Sequence, residues 1–268
     1  MIPTSVTSGS SPAQGSLWGR HARDWSEVQE PQSHALYEIV LKALALTRET
    51  SLLDAGCGAG SFCELASNIG ASVMGLDASN ALLDLARQRV PRATFFEGET
   101  EEMPFVEKTF DFVTVLNSLQ YVASPVRALV DARRVLRPGG KLAIAAWARP
   151  EQCHIAGYFR ALDELLPVDS PNTPAAFSFS NDGLMARLAA RAGFVKRLEA
   201  EALSIWTYPD EETALRGLLS VGAAGRAIDC AGEKRVRETA RQFLAPHRLA
   251  RGGFRLENAF RYLIAQRA

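Results

Sequence analysis

The chain predicts an α/β fold built on a parallel sheet, and three observations carry that expectation. Short apolar runs at residues 51–55, 72–76, 93–96, 111–116 and 141–147 are separated by stretches with helical spacing. Strands joined through helices run parallel, with right-handed crossovers. The first run holds Asp54 and passes into Gly56, Cys57, Gly58, Ala59 and Gly60, a turn whose missing Cβ atoms let the backbone bend sharply and another group come close. The second run is followed at once by Asp77. Open α/β sheets bind ligands beyond the carboxyl ends of their strands, which is where these acids and glycines fall.

Residues 1–16 are rich in Ser, Thr, Gly and Pro, with little to bury, and read as a disordered tail. Residues 17–268 read as a single domain. Its opening segment, 17–50, carries Trp18 and Trp25, large rigid surfaces suited to a flap. Leu36, Ile39, Val40, Ala43 and Leu44 then recur at helical spacing. Residues 51–147 form the ligand-binding half. Its helices are expected at 62–69, at 80–90 with Ser79 or Asn80 as cap, and from Ser124-Pro125 to about 136. Arg137, Pro138, Gly139 and Gly140 make the turn into the fifth strand. Two excursions follow, 148–180 and 208–252, placed where insertions cover the ligand end of a sheet. A helix at 181–192 and a strand at 194–203 separate them, and 254–265 finishes extended.

The 268 residues are 47% hydrophobic, and 30 basic and 30 acidic side chains cancel. Neutrality supplies no global field for nucleic acid or an anionic membrane. A locally basic stretch begins at Glu233 and includes Arg237, Arg241 and Arg248. Four scattered cysteines suit reduced thiols in a cytoplasmic protein, with neither a disulfide framework nor a metal site. No apolar run approaches the length of a membrane span, and the N-terminus lacks the pattern of a secretory signal.

A phosphate loop would place Lys and Ser or Thr after its last glycine, but Ser61 and Phe62 stand there. The dinucleotide fingerprint is displaced by one residue. Asp54 would repel a pyrophosphate and attract a cationic group. Polar residues Gly98, Glu99 and Thr100 follow the third strand, and Asn117 and Tyr121 follow the fourth. A nucleoside with a cationic amino-acid tail matches this set, with ribose at Asp77, adenine beside Glu99 and Thr100, and the tail near Asp54 and Asn117.

In these motifs the chain resembles the class I S-adenosylmethionine-dependent methyltransferases, particularly the small-molecule branch. The resemblance is strong over 52–147 and weaker over 181–203. It implies a Rossmann-like, seven-stranded, mostly parallel sheet with helices on both faces, and one antiparallel strand near the C-terminus, for which 260–266 is the candidate. It assigns Gly56, Cys57 and Gly58 to the methionine side, Asp77 to the ribose hydroxyls and Ala78 to the adenine face. Glu99 or Thr100 falls to the adenine amino edge, and Asn117 to the methionyl end. Glu99 stands where many relatives carry Asp.

The expected reaction is methyl transfer from S-adenosylmethionine to a small, apolar or aromatic metabolite, with an oxygen, nitrogen or carbon acceptor. His154 and Tyr121 are the candidate bases. Phe105, Trp147, Tyr158, Phe159, Phe177, Phe179, Trp206 and Tyr208 are candidates for an acceptor pocket. An RNA methyltransferase is the alternative, although Asn117, Ser118, Leu119 and Gln120 replace the Pro-Pro-aromatic motif the resemblance would require. A regulatory protein that binds the cofactor without methyl transfer is another. A monomer or homodimer is expected, with no membrane or nucleic-acid partner.

Overall fold

The computed structural model describes residues 10–167 and 176–268. Its centre is a seven-stranded sheet in the order β3-β2-β1-β4-β5-β7-β6. Strands β1 (Ser51–Ala55), β2 (Ser72–Asp77), β3 (Thr94–Glu97), β4 (Phe110–Leu116) and β5 (Leu136–Trp147) are parallel. β7 (Phe254–Arg267) lies antiparallel between β5 and β6 (Phe194–Tyr208). The order reverses between β1 and β4, opening the crevice in which doubly wound sheets take their ligands.

Helices cover both faces because the buried strands are apolar on both. Leu52 of β1 and Ala143 and Ala145 of β5 face one core. Helices α3 (His34–Leu44), α4 (Ser61–Ile69) and α7 (Ile155–Asp163) pack there, with α9 (Glu211–Leu219), α10 (Gly222–Ala231) and α11 (Glu233–Leu244). Leu53, Ala55, Leu142 and Ile144 face the other core, against α6 (Pro125–Val135) and α8 (Leu184–Arg191). The expected caps are present: Ser79 Oγ accepts from Leu82 N at the start of α5 (Asn80–Arg89), and Ser124 Oγ accepts from Arg127 N at the start of α6.

Three differences from the sequence reading matter. Residues 1–9 of the expected tail lie outside the described residues, but Ser11–Gly19 is a helix, α1, followed by the single turn α2 (Ala22–Asp24). Composition suggests disorder there because α1 buries through smallness. A Cβ on Gly15 would lie 2.2 Å from the carbonyl oxygen of Ala78, so the helix seats directly on the backbone after β2. Second, β6 runs on to Tyr208, since its ladder with β7 continues to the pair Tyr208–Phe254. Third, aromatics expected to line an acceptor pocket fill core. Trp147 stacks on Phe260 with centroids 4.3 Å apart and also meets Phe159, Phe177 and Trp206, while Phe105 packs on Phe96 and Phe110. Part of the first excursion, 168–175, lies outside the described residues.

Candidate active site at the carboxyl edge of the sheet

Beyond the ends of β1 to β4 lies a cleft of about 800 Å³ of empty space, counted to its open mouth. Its walls include Gly56, Cys57, Gly58, Asp77, Ala78, Gly98, Glu99, Thr100, Asn117 and Tyr121, all but Gly98 predicted site residues. The N-terminal segment closes it with Ser11, Gln14, Trp18, Trp25, Glu30 and Tyr37.

The turn after β1 takes its shape from left-handed glycines, with φ of +79° at Gly56 and +56° at Gly58. A Cβ on Gly56 would fall 2.4 Å from the Cβ of Ser118, so both conformation and space demand glycine there. Gly56 N and Cys57 N donate to the carbonyl of Leu76 at 2.7 and 3.1 Å, tying the turn to β2. The Cys57 thiol, raised by burial, is a neutral part of the wall.

Asp77 is held by two backbone amides. Its Oδ2 accepts from Gly58 N and its Oδ1 from Ser79 N, both at 2.9 Å. Burial moves its carboxyl above the ordinary range while these amides pull the other way. The carboxylate is therefore fixed in direction and still faces the cleft, as an acceptor for paired hydroxyls must.

Asp54 requires a correction. It is buried beneath the glycine turn and does not line the cleft. Alternation along β1 points it away from the cleft, to where Thr114 Oγ1 donates to Oδ1 at 2.6 Å and Cys63 Sγ to Oδ2 at 3.5 Å. Burial raises its carboxyl to about 6, against the pull of Thr114.

Glu99 reaches the N-terminal helix. Ser11 N donates to its Oε1 at 2.7 Å and Ser10 Oγ to its Oε2 at 3.5 Å, so the carboxylate caps α1 at the positive end of its dipole. Further along α1, Trp18 packs edge-on against Trp25 at 4.8 Å and Tyr121 at 5.3 Å, joining two walls of the cleft. Asn117 adopts a left-handed φ of +55°, its N–H donating to Ala145 O at 2.8 Å and its Oδ1 accepting from Gln120 Nε2 at 2.7 Å. Thr100 lies beside Glu99 in the wall.

The two candidate bases separate. Tyr121 lines the cleft, but burial pushes its phenol up to about 12, which suits a hydrogen-bond donor better than a base near neutrality. His154 lies outside the cleft, exposed, with its ring stacked on His247 and its Nδ1 accepting from Glu257 N at 3.1 Å. The chain turns outward after β5 and carries His154 with it. Among the described residues no cluster of His, Cys, Asp and Glu is arranged to hold a metal ion. Glu30 and Tyr37 were missed because nothing in their local sequence distinguishes them from ordinary helix residues.

Residues 53–144, which run from the middle of β1 through β4 and most of β5, match the family model described as a methyltransferase domain. The match and the relatives that follow support a class I S-adenosylmethionine-dependent methyltransferase. The chain is 29% identical over 160 residues to the demethylmenaquinone methyltransferase of Renibacterium salmoninarum, covering 58% of this chain and 67% of that one. It is 31% identical to the demethylmenaquinone methyltransferase of Tropheryma whipplei (strain Twist), spanning 53% of this chain and 62% of the relative's length. It is also 28% identical to the malonyl-[acyl-carrier protein] O-methyltransferase of Enterobacter lignolyticus, covering 79% of each chain. Among solved structures, the YcgJ protein of Bacillus subtilis shares the fold with a TM-score of 0.60 at 17% identity, over 87% of this chain and 98% of that one. The [4+2]-cyclase SpnF shares it at 0.57 and 18%, over 87% and 79%.

Family and fold imply use of S-adenosylmethionine, and the cleft suits that group. Gly56 and Gly58 line it in left-handed conformations, and Asp77 presents a fixed acceptor. Among the described residues no helix is long and apolar enough to cross a membrane.

Proposed function

We propose that this protein transfers a methyl group from S-adenosylmethionine to a small acceptor with a flat or apolar surface. The observation that carries this reading is one continuous cleft joining the glycine turn and Asp77 to an aromatic wall of Trp18, Trp25, Tyr37 and Tyr121. In this reading Asp77 accepts the ribose hydroxyls, Ala78 packs on the adenine face, and Glu99 or Thr100 meets the adenine amino edge. Gly56, Cys57, Gly58 and Asn117 receive the methionyl end. When bound, S-adenosylmethionine supplies an electrophilic methyl group. The protein's own contribution is to align the acceptor and exclude water, to which α1 and its tryptophan contribute.

The basic C-terminal stretch gives little support to the RNA alternative. Arg237 pairs with Glu212, Arg241 and Arg248 with Glu211, and Arg261 with Asp182 and Glu201. These ion pairs locally neutralise charge that phosphate binding would need. Likeness to a cyclase also shows why transfer itself must be measured, since one fold serves several chemistries.

The test is incubation with methyl-labelled S-adenosylmethionine and separate pools of phenols, hydroquinones, amines and RNA. Label on a flat small molecule is expected. Label on RNA alone, or nucleoside binding with no label on any pool, would overturn the reading. On the acceptor found, His154→Ala is expected to retain turnover within about twofold across pH, because its ring lies outside the cleft.

A further inference from the structure

We propose that Glu30 is a positioning residue of the nucleoside site, holding the Gly58–Ala59 turn in its receptive shape through a clamp shared with Arg89. The inference rests on reading the cleft as a nucleoside site, and it brings into that site a residue outside the segment that matches the family model.

Glu30 is 1% exposed. A carboxylate so buried is costly unless its oxygens are paired. Its Oε1 accepts from Ala59 N at 2.8 Å, and its Oε2 pairs with the Arg89 guanidinium. Arg89 also donates to Ala59 O at 2.8 Å and, from its other terminal nitrogen, to Ser26 O at 3.0 Å and Ser26 Oγ at 2.8 Å. Both backbone groups of Ala59 are thus gripped by side chains from distant parts of the chain.

The preceding residue is held from the other side, since Gly58 N donates to Asp77. Two carboxylates, Asp77 and Glu30, therefore fix successive amides of the turn that carries the left-handed glycines. Glu30 also lines the cleft, and a Cβ on Gly58 would stand 2.8 Å from its Oε1 and 3.3 Å from Trp25 Nε1. A residue that only joined two helices would need neither contact. The arrangement makes the shape of the cradle depend on the N-terminal segment.

The charged and titratable neighbours of Glu30 are Arg89 on α5, Tyr37 on α3 and Cys63 on α4. Burial raises the Glu30 carboxyl to about 7, with Arg89 and Ala59 opposing. Protonation as pH falls through that value removes the charge that holds Arg89, so the clamp weakens on the acid side.

The test is calorimetry of S-adenosylhomocysteine binding to the full chain, with thermal melting of each variant. At about pH 8, Glu30→Ala is expected to weaken binding about 10-fold or more. Glu30→Gln keeps an oxygen for Ala59 N–H and is expected to restore affinity to within about threefold. Wild-type affinity is expected to fall about threefold between pH 8 and 6.5, and that fall is absent in Glu30→Gln. Unchanged affinity in Glu30→Ala despite a lower melting temperature would reduce Glu30 to a stabilising residue and overturn the proposal. An unaltered pH profile in Glu30→Gln would do the same. If wild type fails to bind the nucleoside at all, the reading of the cleft falls as well, which separates the two failures.

Discussion

Replacing Asp77 by Asn is expected to weaken S-adenosylhomocysteine binding by about 100-fold or more, equivalent to roughly 2.7 kcal/mol. Both oxygens of Asp77 already accept backbone N–H groups. An amide can offer only one oxygen, so one orientation sets its NH₂ against Gly58 N and the other against Ser79 N. The turn after β1 loses an anchor, and the ribose loses a charged acceptor. Hydrogen bonds to a charged group contribute roughly 1.5–3 kcal/mol each, enough for the expected loss without any wider rearrangement. Calorimetry on Asp77→Asn beside wild type measures the effect. Near-equal affinities would show that the sugar is held elsewhere.

A second large effect is expected at Gly15. Its neighbour is the Ala78 carbonyl, and a Cβ would come within 2.2 Å of that oxygen. Backbone cannot move aside as the end of a flexible side chain can. Gly15→Val therefore lifts α1 from its seat, drawing Ser11 N from Glu99 and Trp18 from Tyr121. Methyl transfer is expected to fall about 10- to 100-fold as water enters and the acceptor loses its aromatic wall. The melting temperature should fall by only a few degrees, because α1 contributes no fully buried residue to either main core. Steady-state kinetics and the tryptophan emission spectrum check both parts. A variant with full activity and an unshifted spectrum would show that the helix is dispensable.

The strand–turn–helix rhythm from β1 to β5 was legible because each element is short and its signals are local: apolar runs, small residues at turns, acids where strands end. Asp77 and the glycine turn belong to that class. Asp54 has the same sequence signature, yet strand alternation sends its side chain under the turn to Thr114. The sequence shows its position without showing which surface it meets. Glu30 was illegible for another reason, since its partners Ala59 and Arg89 are 29 and 59 residues away. Alpha helix α1 escaped notice because Gly15 serves by being small, whereas hydrophobic periodicity registers only side chains large enough to bury. His154 follows β5 closely, but distance along the chain says nothing of the direction taken after the strand.

The strand order also bears on synthesis. β7 fills the gap between β5 and β6, but it emerges from the ribosome after β6 and all three helices of the second excursion. Until it arrives, β6 has no neighbour on the side that β7 will occupy, and its outward Val195, Leu198 and Leu203 accompany an open ladder of amides and carbonyls. An unpaired edge of that kind is prone to join another nascent chain. Yield of native protein should therefore depend on how quickly the last strand reaches its slot, and a substitution that delays it would appear first as inclusion bodies.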